Sequence, residues 1–263
     1  MRLLPLLGYL RARLRTSLRA SFALRGAFWM QAGLMLVNDL IWMSAWWIFF
    51  ARFDRVGGWT LSDMLTVHAM VAIAVGLTVI PAGGMRTLGK AISDGELDSV
   101  LTQPKPALLQ MVMSRSDASG WGDLVHGAIL LTWVGNVEPA RIPLAVLGGI
   151  GGASALLSIG VLFQSLAFWL GPVDTLARQM WEFVITFALY PERLFGGPLR
   201  FVLFTILPAA FVGWMPAELV RDFSWGGLGF VLAGTIGFPL VATWVFRLGL
   251  RSYTSGNRVG QGA

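Results

Sequence analysis

Residues 61–83 read LSDMLTVHAMVAIAVGLTVIPAG, a run in which Asp63 is the single charged side chain. A helix crosses the hydrocarbon core of a bilayer with about 20 mainly apolar residues. This stretch therefore reads as a membrane span, and the rest of the chain can be tested against the same criterion. Comparable runs occur at 28–50, 117–137, 142–170, 176–190 and 227–248. The third and fifth of the six are the weakest, because Asp123 and Glu182 interrupt them. A further apolar stretch, 199–219, is bracketed by Pro198 and Pro216, contains Pro208 and begins beside Arg200. Backbone broken in this way cannot face lipid with its amides unpaired. It reads as a re-entrant hairpin, 199–218, packed inside the bundle.

Composition agrees with this reading. The chain has 263 residues, 56% hydrophobic and 13% charged, about half the charged fraction of a soluble domain. Cysteine is absent, which excludes disulfides and thiolate metal sites. The net charge of +6 would suggest nucleic acid in a soluble protein. Here the basic residues stand at the ends of apolar runs, where membrane topology accounts for them, and no nucleic-acid partner is expected.

Orientation follows from the same residues. With six spans and the N-terminus inside, the cytoplasmic side holds Arg2, Arg11, Arg13, Arg15, Arg19, Arg25, Arg86, Lys90, Lys105, Arg115, Arg178, Arg247, Arg251 and Arg258. Only Arg52, Arg55, Arg141, Arg193, Arg200 and Arg221 lie outside. A seventh span would move the last three cytoplasmic arginines out and nearly erase the asymmetry. The positive-inside rule thus favours six spans, with both termini cytoplasmic and 249–263 as a cytoplasmic tail. Residues 2–25 carry Leu3, Leu7, Leu10, Leu14 and Leu18 along one stripe beside Arg11, Arg15 and Arg19. That is the pattern of an interfacial helix, leucines down and arginines toward lipid phosphate; no cleavable signal sequence is read there.

Catalytic constellations are missing. His68 and His126 are the only histidines, and neither sits in a metal-ligand or nucleophile motif. The run Gly84-Met85-Arg86-Thr87-Leu88-Gly89-Lys90-Ala91 matches a phosphate-binding loop at all but its last position. Ala91 lacks the hydroxyl that would hold magnesium, and the run follows a span rather than a buried strand. No nucleotide site, metal or cofactor of its own is expected, and the chain does not read as an enzyme. Residues 86–101 read instead as an amphipathic helix with a Lys90–Asp94 pair, ending before Pro104 and Pro106. Such an element suits a docking surface or, more plainly, a solvated connector. Polar groups inside spans are costly and need partners. Asn38, Asp39, His68 and Gln164 are candidates to line a pathway, whereas Asp123 and Glu182 read first as interhelical links. Small residues at Gly148, Gly149, Gly151, Gly152 and Ala155, and at Gly229, Ala233 and Gly237, mark close helix contacts within the chain or with a partner.

The order of several short motifs is familiar. Gly58-Trp59-Thr60-Leu61 precedes the second span, and Ile92-Ser93-Asp94-Gly95-Glu96-Leu97-Asp98 with Gln103-Pro104-Lys105-Pro106 fills the first cytoplasmic loop. Tyr190-Pro191, Leu207-Pro208-Ala209-Ala210-Phe211 and Met215-Pro216-Ala217-Glu218 follow near the end. In these motifs the chain resembles the membrane subunits of bacterial ABC exporters of the type-2 class, over essentially its whole length. The resemblance implies an all-α polytopic membrane fold of the type V exporter kind and a half-transporter in the bacterial inner membrane. Two permease subunits, identical or sister chains, would form an efflux pathway above two copies of a separate ATPase, which would use ATP and magnesium. By the same resemblance 86–101 would be the coupling helix, offering Arg86, Lys90, Ile92, Asp94, Gly95, Glu96, Leu97 and Asp98. The N-terminal helix would be the connecting helix, and Pro208, Phe211, Pro216 and Glu218 would belong to the extracellular cap. An ion-gradient-driven carrier is the competing class, disfavoured because no internal repeat with paired broken helices is visible; a membrane-embedded enzyme is disfavoured by the missing catalytic cluster. The substrate is not readable. Walls rich in Trp and Phe suit a hydrophobic or aromatic-cationic compound, and suit lipid contact equally.

Overall fold

A computed structural model describes residues 3–55, 58–134, 137–190, 195–205 and 207–254. Arg2, Pro191, Arg193, Arg258 and the tail from 255 onward lie outside the described residues. Within them the fold is all helix: α1 Leu3–Ala23, α2 Arg25–Phe50, α3 Leu61–Ala82, α4 Leu88–Ser93, α5 Leu97–Leu101, α6 Ala107–Val112, α7 Ser119–Ile129, α8 Ile142–Ser165, α9 Ala167–Leu170, α10 Asp174–Ala188, α11 Gly197–Thr205, α12 Ala209–Val212, α13 Trp214–Arg221 and α14 Trp225–Ser252.

Four stretches are long and apolar enough to cross a membrane: Arg25–Phe50, Leu61–Ser93, Pro139–Leu170 and Trp225–Ser252. They coincide with the first, second, fourth and sixth runs of the sequence. The third and fifth runs form α7, which continues into a short π turn at Leu130–Val134, and α10. Both sit where the sequence places them but fall short of the length of the other four.

The centre of the bundle is α3. Thr60 caps it, accepting from the Asp63 amide while the Asp63 carboxylate takes the Thr60 N–H at 2.8 Å, a reciprocal capping box. From there to Ala82 most of its side chains are buried. Between helices in lipid there is no hydrophobic drive, so close van der Waals approach at small residues holds them together. α3 and α7 cross on Gly76, Gly120 and Gly127; a methyl group on Gly76 would lie 2.7 Å from the Gly120 carbonyl. α8 is the second hub. A methyl on Gly149 would meet Ile73 of α3, on Gly152 the Val212 carbonyl, on Gly148 the ring of Pro216, and on Gly151 Thr235 of α14.

The glycine-rich face expected in the fourth run is therefore an intrachain contact. Its counterpart in the sixth run is not: nothing lies within 4 Å of a methyl placed on Gly229 or Gly237. α14 docks instead through Gly234, against Phe211, and Gly249, against Phe168. α2 and α14 present wide apolar faces outward, including Trp29, Ile41, Trp47, Ile236, Leu240 and Trp244.

The single amphipathic helix expected over 86–101 is corrected. A 3-10 turn at Gly83–Thr87 joins α3 to α4, so α4 prolongs the span, and α5 is separate. The break is at Gly95, whose φ of 79° is left-handed and suits glycine. The apolar stretch after 197 is also broken, into α11, α12 and α13, none longer than 9 residues. α12 and α13 pack into the bundle, with Ala209, Ala210, Val212, Trp214 and Ala217 buried.

Candidate functional site

α2, α3, α7 and α10 enclose a cavity of about 520 Å³. Asn38, Asp39 and Trp42 face it from α2, His68 from α3, Asp123 and His126 from α7, and Trp181 and Glu182 from α10. His68, Asp123, His126 and Trp181 are buried, whereas Asn38, Trp42 and Glu182 stand exposed at the rim. Three polar atoms here have no hydrogen-bond partner: Oδ2 of Asp39, Oδ2 of Asp123 and Nε2 of His68. Trp181 is fixed by its indole N–H, which donates to the Leu156 carbonyl at 3.2 Å. The Arg86 guanidinium lies 4.8 Å from the centre of that ring and pairs with Asp117 at 2.8 Å.

The structure thus brings Asn38, Asp39 and His68 together, as candidates for a pathway, and adds Asp123 and Glu182 to them. No ion pair joins either acid to Arg178 among the described residues. Gln164 is elsewhere. Buried at 3% exposure, it accepts from the Gly89 amide at 2.8 Å and donates to the Arg86 carbonyl at 3.1 Å. It also lines a smaller cavity of about 260 Å³ that shares Arg86, Trp181 and Glu182 with the first. Its two bonds explain the near-match to a phosphate loop. The Gly89 amide is committed to a side chain, and Gly84 is pressed against the Met111 carbonyl. These glycines serve packing.

In the loop beyond, the predicted docking residues divide into two sets. Ile92 and Leu97 are buried anchors. Lys90 and Glu96 are exposed, and Lys90 pairs with Asp94 at 2.5 Å. Leu101, ending α5, is exposed as well. Asp98 accepts a hydrogen bond from the Tyr253 hydroxyl at 3.0 Å, which ties this loop to the end of α14. Burial, then the Asp98 bond and charge, push that hydroxyl up to about 12, so Tyr253 remains a donor at any physiological pH. α1 lies against the same region. Arg13 donates to the Gln110 carbonyl at 3.4 Å, and the Lys105 ammonium sits 3.8 Å over the Tyr9 ring.

At the opposite end of α3, Arg221 pairs with Asp63 at 2.7 Å and lies 5.3 Å from the Trp59 ring. Arg141, at the start of α8, donates to the Val220 carbonyl at 2.8 Å and to that of Arg221. The broken segment is thereby fastened to both hubs. Of the predicted cap residues, Pro208 and Pro216 are buried, Phe211 meets Phe238 edge-on at 4.9 Å, and Glu218 is exposed.

Sequence reasoning missed Trp181, the Arg86–Asp117 and Asp63–Arg221 pairs, and Tyr253. The charged partners and Tyr253 are visible near the ends of apolar runs and Trp181 within one, but the pairing spans tens to more than a hundred residues and no local spacing encodes it.

A family profile described as ABC-2 family transporter protein matches residues 35–257. No curated protein and no solved structure matches the chain.

Proposed function

We propose, from the premise that this chain belongs to the ABC-2 family of transporter proteins, that it is the permease half of an ATP-driven exporter. The family membership and the apolar helices make it a multi-pass membrane protein. Beyond that, two permease subunits and two copies of a separate ATPase would make the working unit, with ATP and magnesium bound by the ATPase. Six crossings are proposed, with α7 and α10 as the short ones, both termini cytoplasmic, and α11 to α13 as the re-entrant extracellular cap. The charge asymmetry of the sequence supports that orientation. Arg86 and Arg221 mark opposite ends of α3, in keeping with it.

The observation that carries the coupling role is the loop 88–105. Its apolar residues Ile92 and Leu97 are rooted in the bundle, while Lys90, Glu96 and Leu101 face outward. A partner pressing on the outward set moves the anchors, and through them α3 and, via Asp98 and Tyr253, α14. The test is co-expression with a candidate phosphate-loop ATPase from the same genome, followed by purification and transport into inverted vesicles. Co-purification and ATP-dependent uptake are expected. Uptake driven by an ion gradient with no ATPase present would overturn the reading in favour of a carrier.

A further inference from the structure

The export reading leaves the polar chemistry of the 520 Å³ cavity unassigned. Its deep wall carries Asp123 and His68, 2% and 4% exposed, each with a polar atom that no protein group meets. Asp39 leaves a third such atom on the α2 side, and Glu182 adds a carboxylate at the rim. Polar groups at membrane depth that lack protein partners are costly, which makes them markers of something that passes or binds there. The lining's positive group is Arg86, already engaged by Asp117. His126 completes the titratable set.

Three features define what fits. Carboxylates outnumber uncommitted cations, so the occupant carries positive charge. Trp42 and Trp181 line the same space, and the structure already seats one cation, the Arg86 guanidinium, over the Trp181 ring, the geometry of a cation–π contact. The volume is on the scale of small organic ligands, about 300–1,000 Å³. No three His, Asp or Glu side chains among the described residues are placed to hold a metal ion.

We propose that this cavity binds an organic cation, a fixed positive charge on an apolar or aromatic frame, with Asp39 and Asp123 meeting the charge and Trp42 the frame. Calling that occupant the cargo rests on the export reading above; the binding itself does not need the ATPase.

The experiment measures equilibrium binding of tetraphenylphosphonium and of tetraphenylborate, a cation and an anion of the same shape. It uses the full chain in lipid nanodiscs, with empty nanodiscs as baseline. Saturable binding of the cation alone is expected. The double variant Asp39→Asn with Asp123→Asn should weaken it at least tenfold, and Trp42→Ala, a half-exposed rim residue, about threefold. Equal binding of both ions, no saturable cation binding by the wild type, or an Asn double variant that is monodisperse and binds as before would overturn the proposal. Should the double variant not fold, the shape-matched pair on wild type and Trp42→Ala still decide it. Cation binding without ATP-dependent uptake would strike the export reading alone. ATP-dependent uptake without cation binding would strike this one alone.

Discussion

The two ends of α3 are both fastened by charged or polar side chains, but by different physics. At the Asp63 end, an ion pair with Arg221 closes at 2.7 Å, its Arg221 side chain 38% exposed and its Asp63 side chain 13%. At the Arg86 end, Gln164 is 3% exposed and bridges a backbone amide and a backbone carbonyl. A pair with its cationic side chain open to solvent is partly screened by water and salt and contributes about 1 kcal/mol. Removing a buried bridge leaves both backbone groups unpaired, at a cost of about 1–3 kcal/mol each. One end of the rod can therefore let go of its neighbours readily, while the other moves as one body with α8. On the proposed export reading, that asymmetry would supply a stiff input near the loop 88–105 and a releasable closure at the far end.

Variants that break the comparison should rank accordingly. The largest effect is expected from Gly84→Val, because its added carbon would sit 2.2 Å from the Met111 carbonyl. Overpacking against backbone should cost about 3 kcal/mol or more, read as loss of monodisperse protein on size exclusion in detergent. Gly229→Val is the control, since that face is open, and its yield should match wild type. Next comes Gln164→Leu, expected to destabilise by about 2–4 kcal/mol in detergent unfolding. Gln164→Glu keeps the acceptor for Gly89 and should recover about half of that loss. Smallest is Arg221→Gln, expected below about 1 kcal/mol. High salt should lower the wild-type unfolding midpoint toward that of this variant and leave the Gln164→Leu difference unchanged. If Arg221→Gln proved as costly as Gln164→Leu, the two ends would not differ as argued.

Much of this architecture was legible in the chain. The positions of all six apolar runs and the break before Ala209 follow from period, charge and proline alone. The lengths of α7 and α10 do not. Asp117 leaves the third run to pair with Arg86, and a π turn at Leu130–Val134 ends the α-helix early, which are tertiary effects. The segment 86–101 shows its charge pattern in the sequence, but not that Gly95 adopts a left-handed φ and splits it. For the cavity, the sequence supplied the polar residues and not their convergence. Asn38, Asp39 and His68 meet because α2 and α3 flank α7, whereas Gln164, of the same residue class and also within a span, is turned to the Gly83–Thr87 turn. The two glycine faces make the same point, since the small-residue cluster of α8 is filled whereas Gly229 and Gly237 of α14 are open.

The central claim, that a separate ATPase moves this bundle through the loop 88–105, is tested most directly by charge reversal at one exposed acid. Glu96 fits that purpose better than Asp98, whose substitution would also break the bond to Tyr253. The measurement is the ATP hydrolysis rate and co-purified ATPase of the reconstituted complex carrying Glu96→Lys. Glu138→Lys, an exposed acid near the start of α8 and far from the loop, serves as control. The account predicts that Glu96→Lys loses most of the bound ATPase and its substrate-stimulated hydrolysis while the bundle keeps its unfolding midpoint, and that Glu138→Lys changes neither. Equal ATPase binding and hydrolysis in both variants and wild type would contradict it.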